Sequence, residues 1–390
     1  MDISRRNLLT ASALLLAGPK AAISAATTSV APWATRATTA PATAGSAAAV
    51  GAPSQPIVLC WNENPYGPSP AARAVLNGTV SSACRYPDEE INQLVELLAR
   101  TEGVSADHIV VGSGSGELLC ALGFLHGREG GEIIAAEPTY AELTNYARHA
   151  GAQLKFVPVD KQLKHDLSAM RAAVSARTRA VYICNPNNPT GTAVSASSIR
   201  SFVASLPDSV TTIVDEAYLD FADDNEVRTV SDLVSGGNRV VVLRTFSKIH
   251  GMAGVRCGYA IARPDAAADI AGVRMSSPNI FAMRAARASL GDKVFLTDTR
   301  RRIIASRTRI TDEIQRLGLA HARPHTNFVF FDTGGPLNRF QDYMKARNIL
   351  VGRLFPPYNN WCRITIGTEP EVDAFLQGLR TYGAKYAAAA

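Results

Sequence analysis

The sequence predicts an α/β fold, a mostly parallel sheet lying between helices, joined to a smaller α+β part. Three observations predict it. Through the middle of the chain, short runs rich in Val, Ile and Ala alternate with longer amphipathic stretches, the pattern of strands joined by helical crossovers. Beyond about residue 275 that alternation gives way to long helical stretches with isolated strands. The chain is also large enough, at 390 residues of which 46% are hydrophobic, to bury one large core or two smaller ones, which excludes a disordered or fibrous protein.

Taken in order, the expected strands are I-V-V at 109–111, E-I-I-A-A at 132–136, L-K-F-V-P-V at 154–159, A-V-Y-I-C-N at 180–185, T-T-I-V-D at 211–215, V-V-V-L-R at 240–244 and C-G-Y-A-I-A at 257–262. A long helix is expected over 294–317, with isolated strands at 327–331 and 362–366. This gives a large domain over 81–275 and a small C-terminal domain over 276–390, to which 56–80 adds an N-terminal segment. No internal repeat is evident. In sheets of this kind ligands bind beyond the carboxyl ends of the strands.

The first residues are of another kind. S-R-R-N-L-L, with Arg5 and Arg6 adjacent, leads into an apolar stretch through Leu14, Leu15 and Leu16 and then into small residues near Ala25 and Ala26. This looks like a twin-arginine export signal over 1–25, which implies the twin-arginine translocase as a partner and a periplasmic destination. The apolar run is too short to span a bilayer, so no stable membrane anchor is expected. From 26 to 55 the chain is Ala, Thr, Pro, Gly and Ser with almost no large apolar residue, and it reads as a flexible linker.

The net charge of +6 is modest and its basic residues are interspersed with acidic ones, so no nucleic-acid partner is expected. Six cysteines without C-x-x-C spacing argue against a zinc site or a redox motif, and no metal is expected.

Four runs at strand ends carry candidate chemistry. G-S-G-S-G-E at 112–117 follows one strand and opens a helix; its glycines permit close backbone approach, and the free N–H groups of the helix start suit an anion. N-P-N-N-P-T-G at 185–191 is a rigid turn that holds an asparagine as a fixed donor. T-T-I-V-D-E-A-Y ends an apolar strand on Asp215, a carboxylate that needs a cationic partner, with Tyr218 one turn on. R-T-F-S-K-I-H-G-M-A-G-V-R delivers Lys248 to the same edge, with Thr245, Ser247 and Arg256 suited to a phosphate.

Together with W-N-E-N-P-Y-G-P at 61–68, Y-P-D at 86–88 and W-C-R-I-T-I-G-T at 361–368, these motifs stand in an order that resembles the fold-type I pyridoxal-5′-phosphate enzymes, among them the class I/II aminotransferases. The resemblance is nearest to the histidinol-phosphate aminotransferase branch. It implies a transaminase that moves an amino group from an L-amino acid to a 2-oxo acid such as 2-oxoglutarate. Lys248 would hold the cofactor as a Schiff base and shuttle the proton. Asp215 would pair with the pyridine nitrogen, Asn188 and Tyr218 would bond the phenolic oxygen, and Tyr140 would stack on the ring. Ser115, Gly116, Ser247 and Arg256 would hold the phosphate. Tyr86 would reach in from a neighbouring subunit, which implies a homodimer with shared sites. Arg363 would take the substrate α-carboxylate, with Arg353 a further substrate-binding candidate; Tyr66 and Asn64 would close over the bound amino acid, and Asn327 would face the site.

The chain departs from that branch at one place. The branch commonly carries an arginine directly after I-L-V, whereas 349–354 here reads I-L-V-G-R-L and displaces the arginine to Arg353, a shift that on an extended segment turns a side chain to the other face. A decarboxylase or lyase such as threonine-phosphate decarboxylase shares the cofactor motifs and is the alternative chemistry. A catalytically silent binding protein is argued against by the intact Lys248, Asp215, Asn188, Arg256 and Arg363.

Overall fold

The computed structural model describes residues 55–386, so the signal and nearly all of the linker expected from the sequence lie outside the described residues. Eleven strands are present among the described residues: β1 (Ile57–Leu59), β2 (Ile109–Gly112), β3 (Glu132–Glu137), β4 (Gln153–Pro158), β5 (Thr178–Cys184), β6 (Thr211–Asp215), β7 (Val240–Thr245), β8 (Gly258–Ile261), β9 (Phe328–Asp332), β10 (Ile349–Val351) and β11 (Trp361–Thr365). Strands β2 to β8 form one seven-stranded sheet in the order β2-β8-β7-β6-β5-β3-β4. Strands β3 to β7 pair in parallel. Strand β8 runs antiparallel to both β7 and β2. No helix separates β7 from β8, and a returning strand reached without a crossover helix must run antiparallel.

Period-2 alternation sorts the side chains onto two faces. Val240 and Val242 join Val214, Val111 and Ile261 on one face, where the helices Asp88–Glu102 and Ala196–Ser205 cover them. Val241 and Leu243 join Tyr182, Ile213 and Ala260 on the other, under the helices Ser115–Gly127 and Glu142–His149. With both faces covered, β5 is buried along nearly its whole length, which is why it reads as a continuous apolar run.

The helices carry their own start and stop signals. Asp88, Glu89 and Glu90 in the first turn and Arg100 in the last complement the dipole of Asp88–Glu102. Asp292 caps Lys293–Arg316 by accepting from Phe295 N.

A second core forms around the antiparallel pair β9 and β11 and the parallel pair β1 and β10. Phe328, Phe331, Phe340, Ile364, Phe375 and Leu379 are fully buried there. Helices on both sides of residue 275 contribute to the sheet-side core. The helix Ile280–Gly291 sends Ala282, Met283, Ala285 and Ala286 into the sheet-side core, and Ala72 from Pro70–Thr79 joins them. A helical pattern in sequence reports which face is apolar but not which layer that face covers.

At the carboxyl edge, the ends of β6 and β7 are tied by a buried ion pair, Arg244 Nε to Glu216 Oε2 at 2.9 Å. These are the strand ends that lead to Asp215 and Lys248. No helix among the described residues is long and apolar enough to cross a membrane.

Candidate active site

The carboxyl ends of β2, β3, β5, β6 and β7 converge on a cavity of about 410 Å³, within the range of small-molecule sites. Ser115, Gly116, Tyr140, Asn188, Asp215, Tyr218, Ser247, Lys248, Arg256, Arg353 and Arg363 all line it.

At the floor, Asp215 is 2% exposed. Tyr182 Oη donates to its Oδ2 and the Ala217 N–H to its Oδ1, each at 3.1 Å. Burial outweighs these two donors and pushes the carboxyl up to about 6. Such a carboxylate is suited to a cationic ligand atom.

Above it, burial and then the Arg363 guanidinium push the Lys248 amine down to about 8. Its Nζ donates to Asn62 O at 3.1 Å and lies 5.3 Å from the centre of the Tyr218 ring. A chain of polar contacts then crosses the cavity. Tyr218 Oη accepts from Asn62 Nδ2 at 3.0 Å and from Asn188 Nδ2 at 3.5 Å. Asn188 Oδ1 accepts from Arg363 Nη1 at 2.6 Å, and Arg363 Nη2 donates to Cys60 O at 2.9 Å. Arg363 Nε is buried with no acceptor among the described residues, a donor left for a ligand oxygen.

The other end suits a phosphate. The helix Ser115–Gly127 begins without a side-chain cap and its first residues, Ser115 and Gly116, line the cavity, where the free N–H groups of a helix start suit an anion. Gly114 has φ +88, and a Cβ there would lie 2.3 Å from Arg256 Nη2, so glycine lets the guanidinium close over the turn. Ser247 accepts from Thr245 Oγ1 at 3.0 Å, which orients its hydroxyl.

Three residues expected around the substrate contact the 60–66 segment or its neighbours, and Tyr86, expected at a neighbouring subunit's site, lies on the surface of this one. Asn64 Nδ2 donates to Ile249 O at 2.8 Å and its Oδ1 accepts from Tyr66 N at 3.0 Å, so it pins the 60–66 segment to the lysine loop. The Tyr66 ring packs under Arg302, whose Cζ lies 5.3 Å from its centre. Asn327 Nδ2 donates to Asn62 O at 3.1 Å and Glu63 O at 3.2 Å, holding the same segment from the other side. Tyr86 is 90% exposed and does not reach the cavity of its own chain.

The displacement of Arg353 is also resolved differently. A Cβ at Gly352 would lie 2.2 Å from Arg363 O, so position 352 cannot carry a side chain. Strand β10 ends at Val351, and strand alternation therefore no longer governs Arg353. Its guanidinium turns back to the cavity mouth, 4.4 Å from the centre of the Phe355 ring, and Arg363 faces the same ring at 4.9 Å.

Three site residues went unread in the sequence. Asn62 is a hub: its N–H donates to Thr365 Oγ1 at 2.8 Å, its carbonyl receives Lys248, and its amide reaches Tyr218. It stands two residues before Asn64 in the same motif, at φ 57, a backbone region that asparagine tolerates better than most residues. Tyr182 looked like one more core residue of a buried strand. Trp61, 67% exposed at the rim, is the first residue of W-N-E-N-P-Y-G-P and carries no polar signal of a site.

Residues 54–379 match the family described as aminotransferase class I and II. The chain is 35% identical over 328 residues to the histidinol-phosphate aminotransferase of Moorella thermoacetica, covering 83% of this chain and 84% of that protein. It is 37% identical over 326 residues to the aromatic amino acid aminotransferase of Rhodococcus opacus, covering 82% and 88%. Among solved structures, a putative histidinol-phosphate aminotransferase from Erwinia carotovora atroseptica superposes with a TM-score of 0.82 at 35% identity, over 85% of this chain and 96% of that one. The histidinol-phosphate aminotransferase of Sinorhizobium meliloti in complex with pyridoxal-5′-phosphate gives 0.79 at 27% identity, over 85% and 91%. The buried Asp215, the uncapped helix start beside Arg256 and the amine of Lys248 fit that cofactor. The chain belongs to the class I and II aminotransferases and is a pyridoxal-phosphate-dependent transaminase.

Proposed function

We propose that the enzyme transfers the amino group of an L-amino acid to a 2-oxo acid such as 2-oxoglutarate, with Lys248 as the residue that binds the cofactor covalently and moves the proton. The observation that carries this reading is the amine of Lys248, pushed down to about 8, beside the partnerless Nε of Arg363. When bound, pyridoxal phosphate supplies an aldehyde and an electron-accepting ring.

The chain's own residues do the rest. Asp215 holds the proton of the ring nitrogen, and Asn188 and Tyr218 offer hydrogen bonds to the ring oxygen. Tyr140 covers the ring face. Ser115, Gly116, Ser247 and Arg256 bind the phosphate. Lys248, with a conjugate acid near 8, takes the proton from the substrate α-carbon and returns it elsewhere on the same face. Arg363 grips the α-carboxylate. Arg353, facing the same Phe355 ring, supplies a second cation for a side chain that ends in an anion, which favours glutamate and 2-oxoglutarate or a phosphate-bearing amine. The rim of Trp61, Tyr140 and Phe355 accommodates an aromatic or imidazole ring.

The same reading includes a homodimer in which Tyr86 completes the neighbouring site, and export by the twin-arginine route as a folded, cofactor-loaded protein. The exposure of Tyr86 and the paired Arg5 and Arg6 support these.

The test is to mix the purified holoenzyme with a panel of L-amino acids, and separately with the amine histidinol phosphate, and follow the absorbance of the bound cofactor. Conversion to the amine form without release of carbon dioxide is expected for the true donor. Carbon dioxide release would move the enzyme to the decarboxylases.

A further inference from the structure

The G-S-G-S-G-E run ends on a carboxylate that charge alone would keep away from a phosphate. Glu117 nevertheless sits in the first turn of the helix whose N–H groups face the anion site. Its two oxygens are both engaged, and with backbone. Oε2 accepts from the Ser113 N–H at 2.6 Å, and Oε1 accepts from the Ser276 N–H at 3.2 Å. One side chain therefore joins the turn after β2 to a segment 163 positions away from Ser113, which Arg274 ties a second time by donating to Val111 O.

This arrangement sorts the donors of the turn. Gly114 N–H is taken by Gly112 O at 2.8 Å, and Ser113 N–H is taken by Glu117. The N–H groups of Ser115 and Gly116 come next, in the uncapped first turn, where no intrahelical acceptor exists for them. Gly114 at φ +88 makes the corner, and an unrestrained Ser-Gly-Ser-Gly stretch would sample many others.

Resting on the placement of the cofactor phosphate at this helix start, we infer that Glu117 is a positioning residue. By accepting from Ser113 and Ser276 together, it fixes the 112–116 turn in the one form that leaves the Ser115 and Gly116 N–H groups to the phosphate. The competing role is a general one, an acidic residue favourable to a helix start. The two roles differ in sign. If Glu117 only adds negative charge, its removal relieves repulsion and phosphate binds more tightly. If it shapes the turn, phosphate binds more weakly.

The experiment measures pyridoxal phosphate, inorganic phosphate and pyridoxal binding to the apoenzyme, for wild type, Glu117→Ala, Glu117→Gln and Arg256→Ala. Glu117→Ala is expected to weaken pyridoxal phosphate and inorganic phosphate about 10-fold or more, the loss of a charge-assisted contact, while pyridoxal, which lacks the phosphate, is captured as before. Glu117→Gln, which keeps an acceptor for one of the two N–H groups and loses the other, should fall between wild type and Glu117→Ala and guards against misfolding of the alanine variant. Unchanged or tighter phosphate binding in Glu117→Ala, or an equal loss for pyridoxal, overturns the inference. If Arg256→Ala weakens pyridoxal phosphate while Glu117→Ala does not, only the role of Glu117 falls. If neither does, the phosphate placement falls with it.

Discussion

The side-chain amine of Lys248 donates to the backbone carbonyl of Asn62 at 3.1 Å, so the first described strand and its exit loop form the roof over the reactive lysine. A carbonyl holds the amine in place without adding a full charge beside it, and burial with the nearby Arg363 keeps the conjugate acid near 8. Capture of pyridoxal phosphate by apoenzyme should therefore speed up with pH, with a midpoint about 8. The unfolded chain holds the same proton up to about 10.5, so the apoenzyme should also gain stability as pH rises from about 8 to 10.5. Stopped-flow mixing and chemical denaturation across pH check both, and a flat profile would remove the depressed amine from the account. Borohydride reduction of the loaded enzyme followed by peptide mapping should find the cofactor on Lys248.

Asp215 poses a conflict between stability and function. Its carboxyl is pushed up to about 6 from 3.8, so the folded apoenzyme binds that proton more tightly, and the resulting contribution to stability is lost as pH rises through this window. At pH 7 the penalty of the buried charge is fully present. Asp215→Asn should accordingly stabilise the apoenzyme at pH 7 by about 1–3 kcal/mol and slow proton removal from substrate by about 10²- to 10⁴-fold. Urea unfolding of the apoenzyme and single-turnover kinetics of the loaded one measure the two halves. Near wild-type turnover would refute the ion pair.

Arg363→Lys keeps the charge and loses the fork. It should lower kcat/KM for amino acids by about 10- to 1000-fold while the cofactor stays bound. Amines without a carboxylate serve as the control, since they do not use the contact. Equal impairment of both would make Arg363 structural and leave Arg353 as the carboxylate anchor.

Tyr86 has no role within one chain at 90% exposure, so its effect should depend on association. Tyr86→Phe should weaken pyridoxal phosphate binding several-fold, and dilution of the wild type to monomer should weaken it in parallel. Retention of the cofactor that is independent of protein concentration would mean that each chain holds it alone.

Residues 1–30 fused to a reporter should direct it across the inner membrane only while Arg5 and Arg6 are intact. Export of the double-lysine variant at wild-type level would exclude the twin-arginine route.

The seven strands of the large sheet were legible because burial on both faces writes each as an apolar run, and the residues at their ends were legible because a charge or amide that terminates such a run is conspicuous. Strand β1 was not, since three residues carry no period. Asn62 receives Lys248 on its backbone carbonyl, a contact its side-chain type does not announce, while its amide reaches Tyr218 across 156 positions of sequence. Asn64 and Asn327 share a motif or strand end with residues of the cavity lining, and only tertiary packing shows the backbone contacts by which they hold the 60–66 segment. Arg353 lines the cavity although strand alternation taken alone would turn it away, because β10 ends at Val351.

The parallel pairing of Ile57 with Ile349 has a consequence for biosynthesis. A ribosome releases β1 among the first of the described residues and must add nearly three hundred more before its partner emerges. Thr365 and Asn327, which hold Asn62 over the lysine, also appear only near the end. The sheet and its phosphate turn can assemble on a nascent chain, but the roof above Lys248 cannot, because its closure joins the most distant parts of the sequence. The roof over Lys248 therefore depends on residues that emerge late in synthesis, Ile349 to Thr365 among them.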